Sequence, residues 1–276
     1  MDTQILKTFL LLANLKNFTQ TAEQLFVAQS TVTNRIADLE AELGKSLFIR
    51  NKRNVTLTEE GIIFEPYAKR MLELEHAAFQ DINSIKHFSD STHIGTTNTI
   101  YECYLYPQVK QRLKEHPNDA LKITIGHSHD LLRGLQDGII DIVYCYTPLI
   151  KKGISCEIFA VDELILVTGT KHNDYPDGIH KEDLIHSNYF FCNFALQEVG
   201  SFIRELFPPH YPFRFEIDNS TKLIPYLLDL GGISFLPESL AKPYLEQEIL
   251  TKIPLLDFVA PKISCYKVQK ITATQE

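Results

Sequence analysis

Between Gly61 and Phe88 eight apolar residues recur in steps of 3, 4, 3, 4, 4, 3 and 3: Phe64, Tyr67, Met71, Leu74, Ala78, Ile82, Ile85 and Phe88. That period is one face of a helix. A helix of about 28 residues at ~1.5 Å each runs roughly 40 Å, too long for a lone surface helix. It asks for a second helix along its length, as in a coiled coil, unless it packs on the protein's own body. Pro66 falls near the start, where proline is tolerated. The spine divides the chain into a short head and a long remainder, and each is read separately.

In the head, Leu6, Phe9, Leu10 and Ala13 mark one face of a helix over residues 4–14. Asn17-Phe18-Thr19 breaks it, and Thr19 can cap a second helix from Gln20 to Leu25. A tight turn at Phe26-Val27-Ala28 leads to a third, whose apolar positions Val32, Ile36, Leu39 and Leu43 step by four, three and four. Gly44 stands where a helix C-terminus needs positive φ. Three helices with a short turn before the last read as a helix-turn-helix. The polar face of the third carries Gln29, Ser30, Thr31, Thr33, Asn34 and Arg35. Gln, Asn and Arg can pair bidentately with base edges in a major groove, and Ser and Thr suit phosphates. Leu47-Phe48-Ile49-Arg50 and Asn54-Val55-Thr56-Leu57 flank a basic turn and predict a two-stranded wing, with Arg50, Lys52 and Arg53 along a phosphate backbone. An ordinary solvated helix of a three-helix bundle would carry the same spacing.

These residues also form a pattern. Phe9 with Leu12-Ala13, Asn17-Phe18-Thr19, Thr21-Ala22, Leu25, Val27-Ala28-Gln29-Ser30-Thr31-Val32-Thr33, Ile36, Leu39-Glu40, Leu43-Gly44, Leu47-Phe48, Arg50, Leu57-Thr58 and Gly61 resemble the LysR-type transcriptional regulators over some fifty residues. The resemblance implies sequence-specific binding of double-stranded DNA. It also implies that the spine is a dimerisation helix, presenting two recognition helices to two half-sites. Ala28 stands where the family usually has Ser, which removes a helix cap, and Asn34 where many members have Arg. A shifted operator preference is the expectation.

Composition agrees with a globular chain. Of 276 residues 44% are hydrophobic and 22% charged, which excludes disordered and fibrous classes. No apolar run approaches the ~20 residues that span a bilayer, and no signal peptide is read, so no membrane partner and a cytoplasmic location are expected. The five cysteines, Cys103, Cys145, Cys156, Cys192 and Cys265, form no C-x-x-C pair and suggest neither a disulfide framework nor zinc. A net charge of −8 excludes a uniformly basic surface. It leaves room for a basic face, such as the four bases between Lys45 and Arg53.

After the polar stretch Ser89-Asp90-Ser91-Thr92, strand and helix patterns alternate, which predicts α/β units around mainly parallel sheets. Strands are expected at His93–Gly95, Leu121–Gly126, Ile139–Tyr144, Glu163–Thr168, Tyr189–Phe191, Phe213–Ile217 and Gly232–Leu236. Helices are expected around Leu105 to Leu113, at Asp130–Gln136, Leu223–Leu228 and Glu238–Leu245. Asp130-Leu131-Leu132, Gly138 with Asp141-Ile142-Val143, Glu163 to Val167, and Gly232 to Pro237 are similar to later family patterns. The resemblance then implies two α/β subdomains joined by crossing strands, like a periplasmic binding protein, with a ligand cleft between them. The organisation expected is a winged helix-turn-helix at 1–58, a linker helix at 59–89 and an effector domain at 90–276. Subdomain I takes about 90–162 and 266–276, and subdomain II about 163–265. Leu230 replaces a glycine common in the family, and the tail Lys270 to Glu276 looks frayed.

Polar residues at strand ends beside helix starts form the usual site in open α/β sheets and favour an anion such as a carboxylate. Thr97, Asn98, Thr99, Ser128, Thr147, Asn193 and Asn219 are the candidates, at positions where the resemblance implies effector contacts. No cofactor, metal or catalytic residue is expected: no Walker loop, dinucleotide fingerprint, G-x-S-x-G or H-E-x-x-H occurs. The leading reading is a ligand-responsive transcription factor acting as a homodimer or homotetramer, with RNA polymerase as a candidate further partner. A constitutive DNA-binding protein with a vestigial cleft, or an enzyme in the α/β part, are the alternatives.

Overall fold

The computed structural model describes residues 2–51, 54–84, 87–192 and 199–271. The chain falls into two compact units, Met1–His87 and Phe88–Glu276.

The first unit opens with α1 (Thr3–Leu15), capped by the Asp2 carboxylate, which accepts from the Gln4 amide. Next comes α2 (Phe18–Gln24), capped by Asn17, whose Oδ1 accepts from the Gln20 amide at 3.1 Å. The cap is therefore Asn17 rather than Thr19, and the helix begins two residues earlier than expected. Helix α3 (Gln29–Leu43) starts at Ala28 with no side-chain cap and ends on Gly44 at φ 65°. Strands β1 (Phe48–Arg50) and β2 (Val55–Leu57) pair antiparallel as the wing, Phe48 opposite Leu57. Leu6, Phe9, Leu12, Ile36, Leu39, Leu47 and Phe48 form the core. Phe9 meets Phe48 and Phe64 at ring separations of 5.4 and 5.2 Å.

Helix α4 (Glu59–Ser84) is the spine. Its apolar stripe divides. Phe64 and Met71, with Ala68 and Leu72, pack on the core of the first unit, so that part of the stripe is satisfied by the protein's own body. Tyr67, Leu74 and Ile82 are 56%, 40% and 60% exposed. Face and length both contribute: Tyr67 and Leu74 lie off the face that carries Phe64, Ala68 and Met71, and the packed residues end near Leu72, with Lys7 of α1 pairing Glu75 at 3.7 Å. Ile85 lies outside the described residues.

The second unit begins with β3 (Ser91–Thr96) and α5 (Asn98–Ile100), which runs through a π-helical turn at Tyr101–Leu105 into α6 (Tyr106–Glu115). Then follow β4 (Ala120–Ile125), α7 (Ser128–Asp137), β5 (Ile142–Cys145), β6 (Ile154–Gly169), β7 (Phe190–Cys192) and α8 (Val199–Glu205). The rest is β8 (Phe215–Ile217), α9 (Ser220–Leu230), β9 (Ile233–Pro237), α10 (Glu238–Glu246), β10 (Leu250–Lys252) and β11 (Lys262–Lys270). One sheet runs β10-β6-β11-β5-β3-β4, with β9 also on β6, while β7 and β8 pair apart.

Pairing is mixed rather than mainly parallel. β3 is parallel to β4 and β5, and β7 to β8. β11 is antiparallel to β5 and β6, and β6 to β9 and β10. The antiparallel share comes from two long strands passing between the halves. β6 has 16 residues, of which Glu163–Thr168 is only the later part. Its partner β11 shifts register between Cys265 and Tyr266, where its pairing with β5 begins. Two core clusters lie on each side: Leu164, Phe191 and Phe235 with Ile165, Phe190 and Leu236 in one half, Leu131, Leu135 and Val143 with Ile94 and Ile100 in the other. Leu230 closes α9, and Gly231 at φ 66° takes the left-handed turn.

Candidate nucleic-acid interface and effector cleft

The polar face of α3 is graded. Gln29, Ser30 and Asn34 are exposed, while Thr31, Thr33 and Arg35 are half-buried. The Thr33 hydroxyl donates to the Gln29 carbonyl at 3.1 Å, inside its own helix. Arg35 turns inward: Nη1 donates to Thr8 Oγ1 at 3.1 Å, and Thr8 in turn donates to the Gln4 carbonyl. Arg50 in the wing pairs with Glu40 at 3.0 Å and lies 5.2 Å from the centre of the Phe18 ring. The same Glu40 carboxylate accepts from the Leu47 and Phe48 amides at 2.8 and 3.1 Å. It therefore binds the recognition helix to the first wing strand, a role that sequence reasoning missed. Lys52 and Arg53 lie outside the described residues.

In the second unit, the carboxyl ends of β3, β4 and β5 open on a cleft of about 530 Å³. Thr97, Asn98, Thr99, Ser128, Thr147 and Asn219 all line it, and Asn193 lies outside the described residues. Three of the six are already engaged across the cleft. Asn98 Nδ2 donates to Thr221 Oγ1 at 2.8 Å and approaches Asn219 Oδ1 at 3.4 Å. Thr99 and Ser220 hydroxyls meet at 2.6 Å, both buried. Asn219 also caps α9, accepting from the Thr221 and Lys222 amides. These bonds lash α5 to the start of α9. Thr97 differs: it is 8% exposed, and its hydroxyl is buried with no hydrogen-bond partner. Helix α7 starts beside it at His127 with no side-chain cap. His127 Nε2 lies 3.9 Å from the Asp218 carboxylate, and Arg133 meets His129 Nδ1 at 3.0 Å.

Behind the cleft, the Asp162 carboxylate accepts from Tyr104 at 2.9 Å and from the Ser239 amide at 3.2 Å, and also meets the Ser239 hydroxyl. Desolvation pushes the Cys145 and Cys265 thiols up to about 12 and Cys103 to about 11. Such thiols are not nucleophiles near neutrality. Among the described residues, no group of three or more His, Cys, Asp or Glu is placed to hold a metal, and no helix is long and apolar enough to cross a membrane.

A winged helix-turn-helix followed by a two-subdomain α/β unit with a cleft defines a one-component regulator architecture. Residues 3–62 match the bacterial regulatory helix-turn-helix protein, lysR family, and residues 86–268 match the LysR substrate binding domain. The chain belongs to the lysR family and is a LysR-type transcriptional regulator. It is 30% identical over 268 residues to the HTH-type transcriptional regulator HdfR of Yersinia enterocolitica, covering 92% of this chain and 87% of that one. The HdfR of Yersinia pestis is 29% identical over 266 residues, with the same coverage. The fold is similar to that of CbnR, a LysR family transcriptional regulator, at a TM-score of 0.69 and 19% identity, covering 100% of this chain and 94% of that one. CrgA from Neisseria meningitidis follows at 0.54 and 18%, covering 99% and 92%.

Proposed function

We propose that the chain is a sequence-specific DNA-binding regulator whose α3 enters a major groove with Gln29, Ser30 and Asn34 foremost. Thr31 and Thr33 stand beside them, and Arg35 and Arg50 act mainly as braces that hold the face in place. Lys52 and Arg53 keep the phosphate-contacting role that their place in the wing turn suggests. The observation that carries this reading is an exposed Gln-Ser-Asn face on the third helix of a lysR-family head. A structural neighbour, CbnR, has been solved in complex with its target DNA at a TM-score of 0.71 and 18% identity, covering 100% of this chain and 94% of that one.

Residues 1–58 form the DNA-binding part, 59–89 the linker helix and 90–276 the effector domain. Within it, subdomain I takes about 90–162 and 266–276, and subdomain II about 163–265. The outward apolar line of α4 at Tyr67, Leu74 and Ile82 suits pairing with a second copy, which would place two recognition helices on two half-sites. A small anion bound at Thr97, Ser128 and Thr147, with Asn98, Thr99, Asn193 and Asn219 around it, would shift the two halves only by binding one arrangement better than the other. The relatives are named as transcriptional regulators, and we infer that the α/β part turns over no substrate and acts in the cytoplasm.

Titrating DNA binding across salt by gel shift tests the reading. Affinity falls steeply as salt rises, because phosphate contacts release counterions. Gln29→Ala and Asn34→Ala relax sequence choice, whereas Arg53→Ala weakens all sequences alike. A flat salt response would contradict it.

A further inference from the structure

The polar groups of the cleft are not of one sign. On one side lie the unpartnered, buried Thr97 hydroxyl and the uncapped start of α7, both of which favour a carboxylate. Against them stands Asp218, the sole carboxylate among the described lining residues, its side chain 73% exposed. Ile125, Leu132, Pro148 and Leu149 supply apolar wall. Thr97 and Asp218 both line the cleft, and each stands one residue before a member of the Asn98–Asn219 contact. A plain anion would leave Asp218 repelling it. A ligand carrying both charges would satisfy both sides.

We propose that the effector is a zwitterion, an α-amino acid with an apolar side chain, its carboxylate held by Thr97 and the start of α7 and its ammonium by Asp218. This rests on reading the cleft as the effector site, and it adds Asp218 as the residue that selects for an amine. Ile125 and Leu149 then meet the side chain. His127 Nε2 lies 3.9 Å from Asp218, beyond hydrogen-bond length, which leaves the carboxylate open to the ammonium.

Isothermal titration calorimetry on the full-length protein tests this with the aliphatic and aromatic L-amino acids. Each binder is compared with its deaminated acid and its decarboxylated amine, such as 4-methylpentanoate and 3-methylbutylamine for leucine. At least one amino acid binds, and losing either charged group weakens it by about tenfold or more. Asp218→Asn, at an exposed position, weakens the amino acid by about tenfold and tightens the deaminated acid by relieving repulsion, while Thr97→Val weakens both. Should the deaminated acid bind as tightly as the amino acid, with Thr97→Val weakening both, the cleft remains an anion site and the zwitterion proposal fails. If a panel member binds but neither variant changes it, the ligand lies elsewhere and both readings of the cleft fall. If the whole panel is silent while DNA is still bound, the proposal is overturned and the DNA-binding reading stands.

Discussion

Glu40 shows how one side chain sets the geometry of the head. Its carboxylate receives two wing amides and the Arg50 guanidinium, so Glu40→Ala strips acceptors from three donors at once. Urea unfolding should show a loss of about 1–3 kcal/mol; an unchanged midpoint would mean that water replaces it freely. The family pattern includes Glu40 and not Glu42, but helical spacing gives no reason for it, because its role depends on where the chain returns after Gly44. Arg35 has the same history. Helical spacing places it on the polar face, and only the crossing of α1 brings Thr8 beneath it. The thiols make a pH prediction. Cys145 and Cys265 titrate near 9.0 when unfolded and near about 12 when folded, through desolvation. The folded state then holds protons that the unfolded chain has released. Their stabilising effect is whole below pH 9 and is lost as pH climbs toward 12. Unfolding midpoints should fall steadily above about pH 9, and a rise there would contradict the assignment.

Among elements, α4 and the α5–α9 lashing separate what periodicity can reveal from what it cannot. The 3.6-residue repeat announced a long helix with an apolar face. It could not say that Phe64 and Met71 would be taken up by the head while Tyr67 and Leu74 stay outside, because that depends on which side of the helix the head packs against. Leu74→Glu with Ile82→Glu should convert the protein to monomers in sedimentation equilibrium with the fold retained by circular dichroism. Dimers that persist would place the interface elsewhere. The six described cleft candidates converge because strand ends and helix starts are legible from alternation and Gly or Asn punctuation. Their bonding to one another is not, since Thr99 and Ser220 lie 121 residues apart. Thr99→Val leaves the Ser220 hydroxyl buried alone and should cost about 1–2 kcal/mol, with faster amide exchange at the start of α9. The long strand β6 was half legible: its buried end reads as a strand, whereas the mostly half-buried, crossing stretch from Ile154 to Asp162 has no clean alternation.

At the scale of the whole molecule, a chain of net charge −8 binds a polyanion only by concentrating its favourable groups on one small face. The head then sets affinity and register, and the α/β unit decides when. The most direct measurement is selection of binding sites from a random DNA library by the full-length protein, with the enriched sites read by sequencing. The account predicts enriched sites built from two inverted half-sites, with centres about one helical turn or a multiple apart, and Asn34→Ala should broaden the preferred bases within each half-site. Recovery of no preferred sequence, or of a single unpaired site that Asn34→Ala leaves untouched, would contradict it.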